Sequence, residues 1–120
     1  MPHPILLTAA DIEATEAVAR PHPLNPNALR LRKSLGDATG LTQLGVHRIE
    51  LPPGRDSSEY HRHLYEEEFV CVRSGHGRAL IDDEAHDVGS GDFLGFPRNV
   101  PAHVITNTGD ETVQLRRRHW

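Results

Sequence analysis

The sequence predicts an all-β domain preceded by one short helix, and three observations carry that prediction. From Ala28 onward the chain falls into runs of about four to eight residues bounded by Gly, Asp or Pro, the pattern of antiparallel strands joined by tight turns. The 10 glycines concentrate at those breaks, where a positive φ or a sharp turn is sterically cheap. Only one segment, close to the N-terminus, has the composition of a helix. The pattern leaves open which kind of barrel or sandwich the strands build.

In chain order, Thr8 reads as a helix N-cap, with Asp11 three residues later as a short capping box. Alanines and glutamates carry the helix towards Arg20. Pro21, Pro23 and Pro26 stop it and predict an extended linker. Residues 1–27 are therefore expected to form a helix and Pro-rich linker, and residues 28–120 the β domain. Its strand candidates are ALRLRKSL, LTQLGVHRIEL, EYHRHLYEEEFVCVRS, RALI, AHDV, FLGF, HVITN and TVQL. The closing RRRHW reads as a solvated tail, which leaves the barrel one strand short or completed by a partner.

A chain of 120 residues supports one core. Its 17 acidic against 13 basic side chains give no reason to expect a nucleic-acid or membrane partner. A single cysteine, Cys71, excludes an internal disulfide framework, and a reducing cytoplasm is expected. The first residues lack a basic stretch followed by an apolar run, so no signal peptide is expected. No segment approaches the roughly 20 apolar residues of a membrane helix.

The compositional oddity is 9 histidines. His3, His22 and His119 are expected as solvated terminal or loop side chains. His61 and His63 are separated by one residue, so on a strand both imidazoles project to the same face. A metal would give both rings a partner, with other groups holding their remaining nitrogens. An isolated pair of this kind is more often an exposed strand face, but here Glu68 follows and opens the apolar run FVCV. A carboxylate at that position can face back towards the histidines. Glu66 and Glu67 compete with it for the role.

At these residues the chain resembles the cupin family. The family's first motif is Gly, five residues, His-x-His, three or four residues, Glu, six residues, Gly; here Gly54, His61, His63, Glu68 and Gly75 stand in that order. Six residues rather than five separate Gly54 from His61. The second motif is matched by Gly91, Pro97, His103 and Asn107, with Asn99 where a glycine is usual and one extra residue before His103. Asn tolerates left-handed φ better than other non-glycine residues, so that turn can survive. The resemblance spans residues 41–115.

The resemblance implies a cupin-type double-stranded β-helix, a jelly-roll barrel, with His61, His63, Glu68 and His103 as metal ligands. Mixed nitrogen and oxygen ligation suits one divalent transition metal, Mn, Fe, Ni, Co or Zn, without selecting among them. The site keeps a net positive charge and attracts an anionic or enolisable oxygen ligand. The function expected is a small-molecule metalloenzyme of the dioxygenase, decarboxylase or isomerase type, with Glu68 as the catalytic proton carrier. The alternatives are a non-catalytic small-ligand binding or sensing cupin and a barrel with a purely structural metal. The expected partners are a small-molecule ligand or substrate and a second copy of the chain in a homodimer.

The remaining candidates have plainer readings. His47 is expected as a structural histidine before a group beside the substrate. Tyr60 and Tyr65 are expected to pack at the barrel rim, and Phe69, Phe93 and Phe96 to line the pocket or core. Cys71 is expected buried and inert. His76 and His86 are expected exposed at turns.

Overall fold

A computed structural model describes residues 5–58, 60, 66–99 and 102–119. In chain order the described elements are α1 (Ala9–Ala14), β1 (Val18–His22), β2 (Asn25–Ser34), α2 (Leu35–Ala38), β3 (Gly45–Leu51), β4 (Glu68–Ser74), β5 (His76–Ile81), β6 (Glu84–Gly89), β7 (Phe93–Phe96), β8 (His103–Thr106) and β9 (Val113–His119). They build two antiparallel sheets, β1-β2-β3-β9-β4-β7 and β6-β5-β8, in a jelly-roll arrangement.

Strand alternation decides what faces inward. On β3 the residues Ile49 and Leu51 are buried, on β4 Val70 and Val72, on β7 Leu94 and Phe96, and on β9 Val113 and Leu115. These pack against Ala79 of β5 and Ile105 of β8, so the core lies between the two sheets. Fully burying a branched side chain such as Leu51 contributes about 1.5–3 kcal/mol. Towards one end of the barrel β3, β4, β8 and β9 continue the same face in the polar residues His47, Glu68, His103 and Arg117, and that end holds the candidate site.

Two motif positions owe their residue type to the backbone. Gly75 joins β4 to β5 at φ +83, where an added Cβ would lie 2.9 Å from the Thr112 carbonyl oxygen; only glycine fits there. Asn99 adopts φ 57, the left-handed conformation that its replacement of a glycine requires.

Asn107 serves the architecture rather than the chemistry. It is fully buried, and its amide donates to Leu51 O at 2.8 Å and Glu111 O at 2.7 Å while its oxygen accepts from Gly109 N at 2.9 Å. One side chain thus ties the end of β3 to the β8–β9 loop.

The N-terminal region departs from expectation. The capping box of Thr8 and Asp11 is present, but the helix ends at Ala14 instead of running towards Arg20. Residues 18–22 pair with β2, and strand pairing outweighs the weak propensity of so short a helix. The proline segment is accordingly no extended linker but the β1–β2 hairpin. Pro21 sits in β1 at the sheet edge, where a missing N–H costs no ladder bond. Lys33 Nζ donates to Ile12 O at 2.8 Å, and Arg48 pairs with Glu13, which pins α1 to the outer face of β2 and β3.

The C-terminus also departs from expectation. RRRH is not a solvated tail: β9 runs to His119 between β3 and β4, with Arg117 opposite His47 and Val70. The inner face at this end meets a cavity rather than dry core, so Arg117 and His119 continue the inward alternation of Val113 and Leu115 without desolvating fully.

Candidate metal centre

Glu68 opens β4 and faces inward together with Val70 and Val72. His103 opens β8 in the opposing sheet. Their side chains are each only 6% exposed, and Glu68 Oε1 stands 3.4 Å from His103 Nε2. The His103 ring is stacked on Phe96 with centroids 3.8 Å apart and planes 9° from parallel, which fixes its aim.

A separation of 3.4 Å is long for an N–H···O hydrogen bond, whose usual range is about 2.7–3.2 Å. Two donors that each sit roughly 2.0–2.2 Å from a shared ion stand about 3.0–3.5 Å apart when they subtend a right or tetrahedral angle. The spacing is thus compatible with two donors on one shared divalent ion, and also with a long direct bond. Glu68 Oε2 is held from the other side, accepting from Arg117 Nε at 2.5 Å with Nη2 of the same guanidinium also 2.5 Å away as an ion pair. A ligating carboxylate oriented through its second oxygen is a regular feature of metal sites.

Of the four expected ligands, the structure brings Glu68 and His103 together; His61 and His63 lie outside the described residues. Among the described residues no group of three or more His, Cys, Asp and Glu converges on one point. Glu68 is distinguished from its neighbours by burial, since Glu66 is exposed and Glu67 half-buried.

The two residues open onto a cavity of about 160 Å³ whose polar lining includes His22, Arg30, Ser57 and Arg117, over an apolar floor that includes Ile49 and Leu115. Arg30 and Arg117 are not among the residues that the sequence singles out, and His22, expected as a solvated side chain, lines this cavity instead, with Nδ1 accepting from Leu24 N at 3.1 Å. The detectable signal was the repeated Arg-x-Arg spacing of Arg30 and Arg32, which puts both on one strand face.

The wall is electropositive. Burial pushes the Arg30 guanidinium down to about 10, with Arg117 and Arg32 adding to the effect and Glu68 opposing it. Arg32 is lowered too, by burial and then by Arg20 and Arg117. Beside it, His47 is pushed down to about 4 by burial first and then by Arg32 and Arg117. His47 Nε2 lies 3.3 Å from His119 Nε2, and the rings stack with centroids 5.5 Å apart. His119, expected in a solvated tail, is therefore part of the inner face.

The other expectations divide. Tyr60 is 38% exposed; its hydroxyl accepts from Asp83 N at 2.6 Å and donates to Asp83 Oδ1 at 3.0 Å. Tyr65 and His3 lie outside the described residues. Phe96 lines the cavity, but Phe69 and Phe93 stack on each other on the outer face of the sheet, with Phe93 64% exposed. Cys71 shares that outer alternation and is half-buried rather than buried. His76 and His86 are exposed.

Residues 47–116 match the cupin domain family. The chain belongs to the cupin family. A structure of a candidate sugar phosphate isomerase from Acidithiobacillus ferrooxidans is 44% identical, covers 96% of this chain and 74% of its own, and superposes with a TM-score of 0.94. A sugar phosphate isomerase of the cupin superfamily from Silicibacter pomeroyi is 32% identical, with coverages of 95% and 74% and a TM-score of 0.81. Protein SchB of Streptomyces halstedii is 36% identical over 73% of this chain, which spans 59% of SchB's length. Among the described residues no helix is long and apolar enough to cross a membrane.

Proposed function

We propose that the protein is a metal-dependent isomerase of small polyhydroxylated carbonyl compounds, with the ion held by His61, His63, Glu68 and His103. The observation that carries the metal is the 3.4 Å gap between Glu68 Oε1 and His103 Nε2, buried at the cavity wall and braced by Arg117. Among dioxygenase, decarboxylase and isomerase chemistry, the names of the two relatives at 44% and 32% identity favour isomerisation.

A bound divalent ion would supply a Lewis acid that polarises a carbonyl or hydroxyl oxygen. The chain's own residues supply the rest. Interconverting an aldose and a ketose moves one proton from the carbon beside the carbonyl to the former carbonyl carbon and shifts the hydroxyl proton between the two oxygens, with no net change in atoms or electrons. Glu68 would hold the ion through Oε1, because Oε2 is engaged by Arg117, and it would hold or move a proton there only when that oxygen is off the ion. The apolar floor formed by residues such as Ile49 and Leu115 keeps bulk water from the reacting carbons. We further propose that the working form is a homodimer.

The test is an activity screen of protein loaded separately with Mn, Fe, Co, Ni and Zn. Substrates are aldoses, ketoses, their phosphates and small organic acids, in air. Interconversion of an aldose–ketose pair is the expected result. Ligand-dependent melting shifts without product in any combination would replace this reading with that of a non-catalytic small-ligand carrier.

A further inference from the structure

We infer that the arginine-lined end of the cavity is an anion subsite for a phosphoryl group of the substrate, anchored by Arg30. Arg30 lies on the inner face of β2 and lines the same cavity as Glu68 and His103. Arg117, also in the lining, already has its guanidinium on Glu68. Arg30 takes part in none of the ion pairs among the described residues and donates no side-chain hydrogen bond there. Arg30 is half-buried and shares Glu68, already paired with Arg117, as its nearby negative charge, so a ligand that brings further negative charge recovers part of the cost of burying the guanidinium.

The charge balance points to a dianion. Arg30 and Arg117 line the cavity with Glu68 as the carboxylate among the residues named, and Arg32 stands on the same face of β2. A divalent ion at Glu68 and His103 would add to the excess. The planar fork of an arginine matches two phosphoryl oxygens at once. Ser57 supports the assignment: its Oγ accepts from Ile105 N at 3.1 Å, so its hydroxyl hydrogen is available to a ligand oxygen. The identity of the substrate's remainder rests on the isomerase reading, whereas phosphoryl binding does not.

The test titrates inorganic phosphate into the full chain, metal-loaded and chelated, by calorimetry. One saturable site is expected in both forms. It should be competed by a sugar phosphate and not by the free sugar. Arg30→Gln should weaken phosphate by about tenfold or more, as loss of a charge-assisted bond implies, and Arg30→Lys by less. Exposed Arg73→Gln should leave it unchanged. If Arg30→Gln fails to fold, the comparison of Arg30→Lys with wild type decides. Equal phosphate affinity in the folded Arg30 variants and wild type, or no saturable site in wild type, overturns the subsite. Arg30-dependent phosphate binding without turnover of any sugar phosphate would support it and remove the isomerase reading. Turnover of free and phosphorylated sugars at equal KM would do the reverse.

Discussion

Arg117 grips one oxygen of Glu68 at 2.5 Å, while the other oxygen of the same carboxylate faces His103 at 3.4 Å. One guanidinium thus neutralises the carboxylate and sets the direction in which its remaining lone pairs point. Arg117→Leu leaves a buried charge unpaired, so stability in urea should fall by about 3–5 kcal/mol. Metal affinity should fall roughly 10–100-fold, with partial recovery in Arg117→Lys. Unchanged values of both quantities would mean that the contact is incidental.

Asn107 makes three side-chain hydrogen bonds at zero exposure. Asn107→Ala strands two carbonyls and one amide, so a loss of about 2–4 kcal/mol is expected by chemical denaturation. Metal and phosphate affinities measured well below the melting transition should change little, because no contact of Asn107 reaches the cavity. A large loss of affinity in still-folded protein would contradict that division.

His47 gives a pH dependence of defined sign. Its folded value of about 4 lies below the ordinary 6.5, so between those values the unfolded chain binds the proton more readily. Stability is fully present above about pH 6.5 and is lost as the pH falls towards 4. The melting temperature of chelated protein should therefore drop less over this window in His47→Gln than in wild type. Parallel curves would place the titration elsewhere.

The homodimer has its own check. Four of the five residues of the edge strand β1 are exposed, Val18 among them at 52%, and an uncovered edge offers unpaired backbone groups to another chain. Light scattering should give twice the chain mass. A monomer at every concentration removes the proposal.

The motif spacings singled out Glu68 and His103, which β4 and β8 bring to within 3.4 Å of each other, because each motif leaves a local signature in the sequence. The left-handed turn at Asn99 was legible for the same reason: it depends on one residue's steric tolerance. What could not be read was set by distant pairing. ALRLRKSL looks like a strand that buries its leucines, yet β2 turns Arg30 towards the cavity, with Arg32 on the same strand face. RRRH resembled a tail because nothing local reveals that β3 and β4 flank it. Val18–His22 is a strand where the sequence predicts helix and linker, because nothing local signals its partner, β2.

The central claim is the metal centre, and metal content tests it most directly. Elemental analysis of purified, dialysed wild type should give one divalent transition-metal ion per chain. The double variant His61→Ala/His63→Ala should retain none while keeping the circular dichroism of a folded β protein. Stoichiometric metal in that variant, or a wild type that takes up no ion when offered each of the five metals, would contradict the account.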